Sequence, residues 1–393
     1  MKGKESEKEA EVMFSNEVSG DLLTQLKDGT IIFYYFRDDP SLQIYNGKTF
    51  QKLIEIDLEL PIKKYIKEKQ NKNKNNEDKS DNKETLIEED YEYYPRYNYK
   101  KGNISIKELN NGVILIGISH YLIQTKSVLN IEEYKVVTEL NENILNINEL
   151  PNNKIIIITT NAINVFNASN NEYIKASKYP IKDNWRIESV SSTSRWYGEF
   201  NQYFSSYILP NDRLLINSFS TEMDYNGGCG THPPSEFSFS KIVFIDAKNF
   251  EEIGITKTFH NAAKYLVLEN VIVFQTYKNI IIYDINSFKI IKEIEGRQNF
   301  DYFYRYDDQY LIGISKLERQ NDLYIYKLDN NEIFEYCVIK VKNTFDEIRG
   351  WNHYIVRGFN NKFLYTLKDK RIVIICHDKL YLLKINLDYI IKI

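Results

Sequence analysis

Cysteine is scarce in this chain: Cys229, Cys337 and Cys376 are the only three among 393 residues, odd in number and far apart. That excludes a disulfide framework and fits a reducing compartment, with no bridges expected. No run approaches the roughly 18 apolar residues that cross a bilayer, and the opening MKGKESEKEAEV has no apolar core of leader length. A soluble, cytoplasmic protein without membrane insertion is expected. An excess of one charge is lacking as well: 51 Lys and Arg face 55 Asp and Glu, a net −4, so no global field draws the chain to nucleic acid. Its basic residues are scattered among acidic ones without an aromatic-interleaved stripe, and no nucleic-acid partner is expected. There is no Walker loop, no G-x-G-x-x-G after a strand and no G-x-S-x-G elbow, which removes the local signal of nucleotide binding and of the common hydrolases.

What is present favours strands. The hydrophobic share of 42% beside 27% charged is a globular balance, and the apolar set is dominated by Ile, Leu, Val, Tyr and Phe. Residues 261–296 show a unit of four short apolar or alternating runs, KYLVL, VIVFQTY, NIIIYDI and KIIKEI, separated by polar turns. The same order recurs through the chain, giving units at about 22–56, 103–140, 144–178, 203–256, 264–294, 299–341 and 362–393. Between the first and second run of each lies a turn rich in Asp, Asn, Gly, Pro or Lys, such as Lys27-Asp28-Gly29 and Asn110-Asn111-Gly112. The second runs, VILIGIS, IIIITT, VIVFQT and IVIICH among them, are almost continuously apolar, as strands packed between two neighbours must be.

Four-stranded antiparallel units repeating about every 40 residues bury both faces only by stacking around an axis. The expected fold is therefore all-β: a seven-bladed β-propeller over 21–393, with six or eight blades as the alternatives. Residues 1–20 are expected to be a charged, flexible segment. EVMFS at 11–15 offers a closing strand for the last blade, although YIIKI at the C-terminus already supplies a fourth one there.

The pattern resembles the WD-repeat family of propellers over about residues 20–393. Where that family closes its third strand with Trp-Asp, this chain reads Tyr45-Asn46, Phe166-Asn167, Ile245-Asp246, Tyr283-Asp284, Tyr326-Lys327 and Leu383-Lys384, so the dipeptide itself is absent. The Gly-His that opens a standard repeat is missing too. The resemblance implies a rigid interaction platform and does not imply the family's buried hydrogen-bond network.

Extra length falls on one side. Links from one blade to the next emerge on the same face as the turns between second and third strands, and the insertions 57–102, 179–202, 342–361 and 220–240 all belong to that face. Part of the first, about 65–88, is Lys/Asn/Glu-rich and expected to be disordered. All three tryptophans lie in these insertions beside arginines. Trp185, Arg186, Arg195, Trp196, Arg349 and Trp351 are the expected partner-binding residues, because Trp and Arg dominate interface hot spots. The competing reading is that the tryptophans pack small loop cores.

The expected function is thus a non-enzymatic scaffold that holds a protein or peptide partner on this face, alone or within a larger complex, with no cofactor. The alternative is an enzyme or metal site there, built around Cys229 and His232 in DYNGGCGTHPPSEFSFS, with His120, His260 or His353 completing a zinc set.

Overall fold

The four-run unit folds as its pattern dictates. The computed structural model describes residues 11–17, 21–36, 40–77, 104–151, 153–169, 172–187, 200–209, 212–224, 235–260, 262–268, 270–276, 279–295, 300–315, 322–329, 332–340, 364–376 and 379–385. Their strands form seven antiparallel sheets of four strands, the fourth sheet with a short fifth strand, and the chain is a seven-bladed β-propeller. Blades one to six span 21–57, 104–139, 144–180, 200–255, 262–295 and 300–340, and the seventh holds 364–384.

The second strands are apolar on both faces because each serves two inter-blade cores. In blade three, Ile155 and Ile157 pack with Leu115 and Leu122 of blade two. Ile156 and Ile158 point the other way, to Leu214 and Ile216 of blade four. Where blades two and three approach, Gly117 is required, since a Cβ there would sit 2.4 Å from Ile144 Cγ2.

The ring is closed by the N-terminus. Glu11–Glu17 pairs antiparallel with Lys379–Lys384 and completes the seventh blade, a place the sequence assigns to YIIKI. Residues 11–17 are therefore a blade strand and not part of a flexible tail, because the open edge of Lys379–Lys384 offers them a full ladder of backbone bonds. YIIKI lies outside the described residues.

Every outer strand carries a bulge, in the same place in six blades and two residues nearer the start of the third strand, between Leu122 and Ile123, in blade two. The skipped residue is Leu53, Val137, Ala176, Ile253, Ile291 and Tyr336 in blades one to six, and Met13 in the closing strand of blade seven. In six blades it lies opposite the third-strand position where the WD-repeat family has its tryptophan. That the N-terminal strand repeats the feature fixes its register as that of a proper fourth strand.

In place of a Trp-Asp network, hydrogen bonds tie consecutive blades at all seven junctions. Blade one meets two where Lys27 Nζ donates to Leu109 O at 2.7 Å, and two meets three where Ile147 N donates to Ser105 Oγ at 3.1 Å. Ser206 Oγ donates to Asn146 Oδ1 at 2.8 Å between three and four, and Ser205 Oγ meets Tyr265 Oη at 3.3 Å between four and five. Phe303 N donates to Gln275 Oε1 at 2.6 Å between five and six, and Thr366 Oγ1 to Arg305 O at 2.8 Å between six and seven. Lys368 Nζ then reaches Leu26 O at 2.9 Å and returns the sequence of contacts to blade one.

A second device is legible as a short repeat. NGKTF at 46–50, DAKNF at 246–250 and DINSF at 284–288 form the turn between third and fourth strands in blades one, four and five. The leading Asn46, Asp246 or Asp284 side chain accepts backbone N–H bonds inside its turn. The closing Phe50, Phe250 or Phe288 takes a left-handed conformation with φ of 56, 60 and 56°. An arginine from the preceding blade clasps two of these turns. Arg213 donates to Ile285 O and Asn286 O with its guanidinium 4.8 Å from the Phe288 ring centre. Arg371 donates to Gly47 O and Lys48 O and lies 5.4 Å from the Phe50 ring centre.

Candidate functional site

The insertion-bearing face is built from three described features. The first is a helix, α1, at Glu59–Glu77, which replaces half of the segment read from sequence as disordered. Asp57 Oδ1 accepts the Glu59 N–H at 2.8 Å and starts it. Four apolar residues at helical spacing then hold it: Leu58 and Ile62 are buried against blade two, and Tyr65 and Ile66 pack on the same cluster. Lys69 Nζ pairs with Glu139 Oε2 at 2.9 Å, and Tyr65 meets Tyr121 edge-on at 6.3 Å. Residues 78–88 lie outside the described residues.

His120 sits beside this contact, half-buried, with Nδ1 3.1 Å from Ser119 Oγ and Nε2 3.8 Å from Glu139 Oε1. Burial lowers its pKa, Lys69 lowers it further, and Glu139 opposes both.

The second feature is the link from blade three to blade four. Here Trp185 is 1% exposed and packs among Ile181, Phe204, Val243 and Ile245, with its Nε1 donating to Glu252 Oε2 at 2.6 Å. Its ring fills the junction between two blades, so the anchor expected on the open face is instead a core residue. Arg186, next in sequence, stays half-buried. Its Nη2 donates to Thr160 O at 3.1 Å and Asn161 Oδ1 at 3.0 Å, and its guanidinium lies 5.5 Å from the Phe204 ring centre. Lys241 Nζ holds the backbone from the other side through Asn184 O at 2.7 Å and Arg186 O at 3.2 Å.

Glu142 fixes the turn that Arg186 touches. It accepts from Thr159 Oγ1 at 2.5 Å, Asn161 N at 3.1 Å and Lys178 Nζ at 2.8 Å. Burial alone would raise its pKa, but these three donors outweigh burial and lower it. The result is a corner of fixed charge on the insertion face, made by Glu142, Lys178 and Arg186.

The third feature is an extension of blade four. Phe200–Leu209, Arg213–Asp224 and Ser235–Asp246 stay paired along their length, so the ends of the segment read as a loop over 220–240 are strand. The second and third strands have 12 residues each, against six at Ile31–Phe36 or Val271–Thr276. At roughly 3.3 Å per residue the extra length rises about 20 Å. Phe259–His260 pairs with Ser240 and Phe239 and braces its base.

Of the other sequence-predicted site residues, Arg195, Trp196, Arg349 and Trp351 lie outside the described residues, as do Cys229, His232 and His353. Among the described residues no group of three or more His, Cys, Asp or Glu is placed to hold a metal ion, and no helix is long and apolar enough to cross a membrane. Sequence reasoning missed α1, Glu142, Lys241 and Glu252. Only α1 left a signal, in the spacing of Leu58, Ile62, Tyr65 and Ile66.

No family model and no curated protein matches the chain. Solved structures do match its fold. The β-propeller domain of Myceliophteria thermophila Cps50 (Swd1) is 8% identical, covers 96% of this chain and all of its own, and superposes with a TM-score of 0.50. A chain of a mitotic checkpoint complex is 7% identical, with coverage of 98% and 95% and a TM-score of 0.54.

Proposed function

We propose that this propeller is a non-enzymatic scaffold of the cytoplasm that binds a protein or peptide partner on its insertion-bearing face. The observation that carries the reading is the asymmetry of the molecule. The seven tied junctions make a stiff ring, and the helix, the blade-three link and the blade-four extension all gather on one side of it. Variable material on a rigid frame is where binding groups usually reside. One of the structures it resembles is a chain of a larger complex, a role consistent with the reading. Arg186, Arg195, Trp196, Arg349 and Trp351 are the proposed contact residues, with Arg186 preorganised by Thr160 and Asn161.

The test is a pull-down from cytosol with mass spectrometry, comparing wild type with a variant carrying alanine at those five positions. Trp185 is left intact because its removal would open the core. A partner retained by the wild type and lost by the folded variant supports the proposal; identical partner sets move binding to another surface.

A further inference from the structure

Helix α1 is the positive element of an otherwise acidic protein. Its six lysines against three glutamates give Glu59–Glu77 a net +3. The rest of the chain, whose total is −4, therefore carries −7. The inward side of the helix is occupied by Ile62, Tyr65, Ile66 and Lys69, all engaged with blade two. On the other side Leu60, Lys64, Lys67 and Asn71 follow at spacings of four, three and four, the repeat of one helix face, and all are exposed. Lys63 pairs with Glu59 and Lys69 with Glu139. Lys64, Lys67 and Lys72 have no carboxylate partner among the described residues, in a chain with acidic residues to spare.

We infer that this outward stripe docks an acidic polypeptide segment of the partner, an inference that rests on the proposed scaffold role. Charge complementarity selects the occupant. A membrane would need an apolar helix face, and here only Leu60, 52% exposed, remains free while the other apolar residues face blade two. A nucleic acid would need stacking aromatics beside the lysines, but the helix's only aromatic, Tyr65, packs on Tyr121, and the −7 carried by the rest of the chain opposes a dense polyanion. A peptide of carboxylates spaced along its backbone meets the lysines without that penalty, and Leu60 gives it an apolar contact at one end. The helix is held by its cap, its buried face and the Lys69–Glu139 pair, so it presents the stripe without first having to fold.

The test measures binding of a fluorescein-labelled peptide with glutamates spaced among serines, (Glu-Ser-Ser) repeated four times, to the full chain by anisotropy at low salt. Lys64→Glu/Lys67→Glu removes the stripe, and Lys126→Glu/Lys175→Glu makes the same charge change at exposed lysines of blades two and three. The expected result is binding that weakens with salt, is at least roughly tenfold weaker in the first variant, and is retained by the second. Equal loss in both variants, no binding by the wild type, or tighter binding of single-stranded DNA or anionic vesicles than of the peptide overturns the inference. Any of these outcomes leaves the pull-down comparison standing, since its variant keeps α1 unchanged.

Discussion

Replacing Arg371 tests whether inter-blade clasps substitute for the missing Trp-Asp network. Its side chain is 11% exposed and paired with Asp369 at 2.6 Å, while its fork spans the carbonyls of Gly47 and Lys48 across the junction of blades seven and one. Hydrogen bonds from a charged donor contribute about 1.5–3 kcal/mol each, and a partly desolvated guanidinium over an aromatic ring about 0.5–2 kcal/mol. These contributions share one side chain and do not add in full, so Arg371→Ala should cost about 2–4 kcal/mol. Asp369, half-exposed, contributes little. Arg371→Lys should recover less than half of the loss, because a compact ammonium lacks the planar fork that here reaches both carbonyls and Asp369 while its central carbon stays over the Phe50 ring. The assay is urea unfolding with the slope held equal between variants, and a cycle with Phe50→Leu isolates the ring contact. A loss below about 0.5 kcal/mol for Arg371→Ala, or full recovery by lysine, would refute the reasoning.

Two further outcomes follow from the same geometry. Deleting residues 1–17 leaves the edge of Lys379–Lys384 unpaired, and should lower the unfolding midpoint and promote aggregation, with a synthetic peptide of residues 9–19 restoring both; an unchanged midpoint and a monodisperse sample would show that the strand is dispensable. His120 has a folded pKa below its ordinary 6.5, so the fold prefers the neutral ring, and the stability this preference contributes is complete at higher pH and lost as pH falls below that value. Thermal unfolding between about pH 7.5 and about pH 5.5 should therefore fall more steeply for the wild type than for His120→Asn, and parallel curves would contradict the assignment.

Much of the fold is legible in the sequence because its strongest signals are local. Runs such as KIIIIT and VIVFQT are apolar on both faces, and polar turns separate them at regular spacing, so unit and period can be read directly and seven blades counted, with six or eight as the alternatives. What escaped depends on distant partners or on weak patterns. The closing strand is offered by EVMFS at 11–15, but it lies in a charged stretch and pairs with residues at the other end of the chain, so the apolar YIIKI looks the better fourth strand. Helix α1 hides its four apolar anchors in a Lys/Asn run whose average composition reads as disorder. Trp185 looks like a surface anchor because its loop is irregular, yet blades three and four leave a gap that its ring fills. The NGKTF, DAKNF and DINSF repeat was open to inspection, and its meaning appears only when Arg213 and Arg371 are seen crossing from the blade before.

The pairing of Phe14 with Leu382 also has a consequence for how the protein is made. The strand that leaves the ribosome early must wait for a partner about 370 residues later, on the order of 20–70 s at ordinary elongation rates. Six blades can assemble in order during that time, each on the one before it, while the first blade keeps an uncovered flank. Closure is then a single late event, and the interval before it is when a nascent chain of this protein has most need of a chaperone.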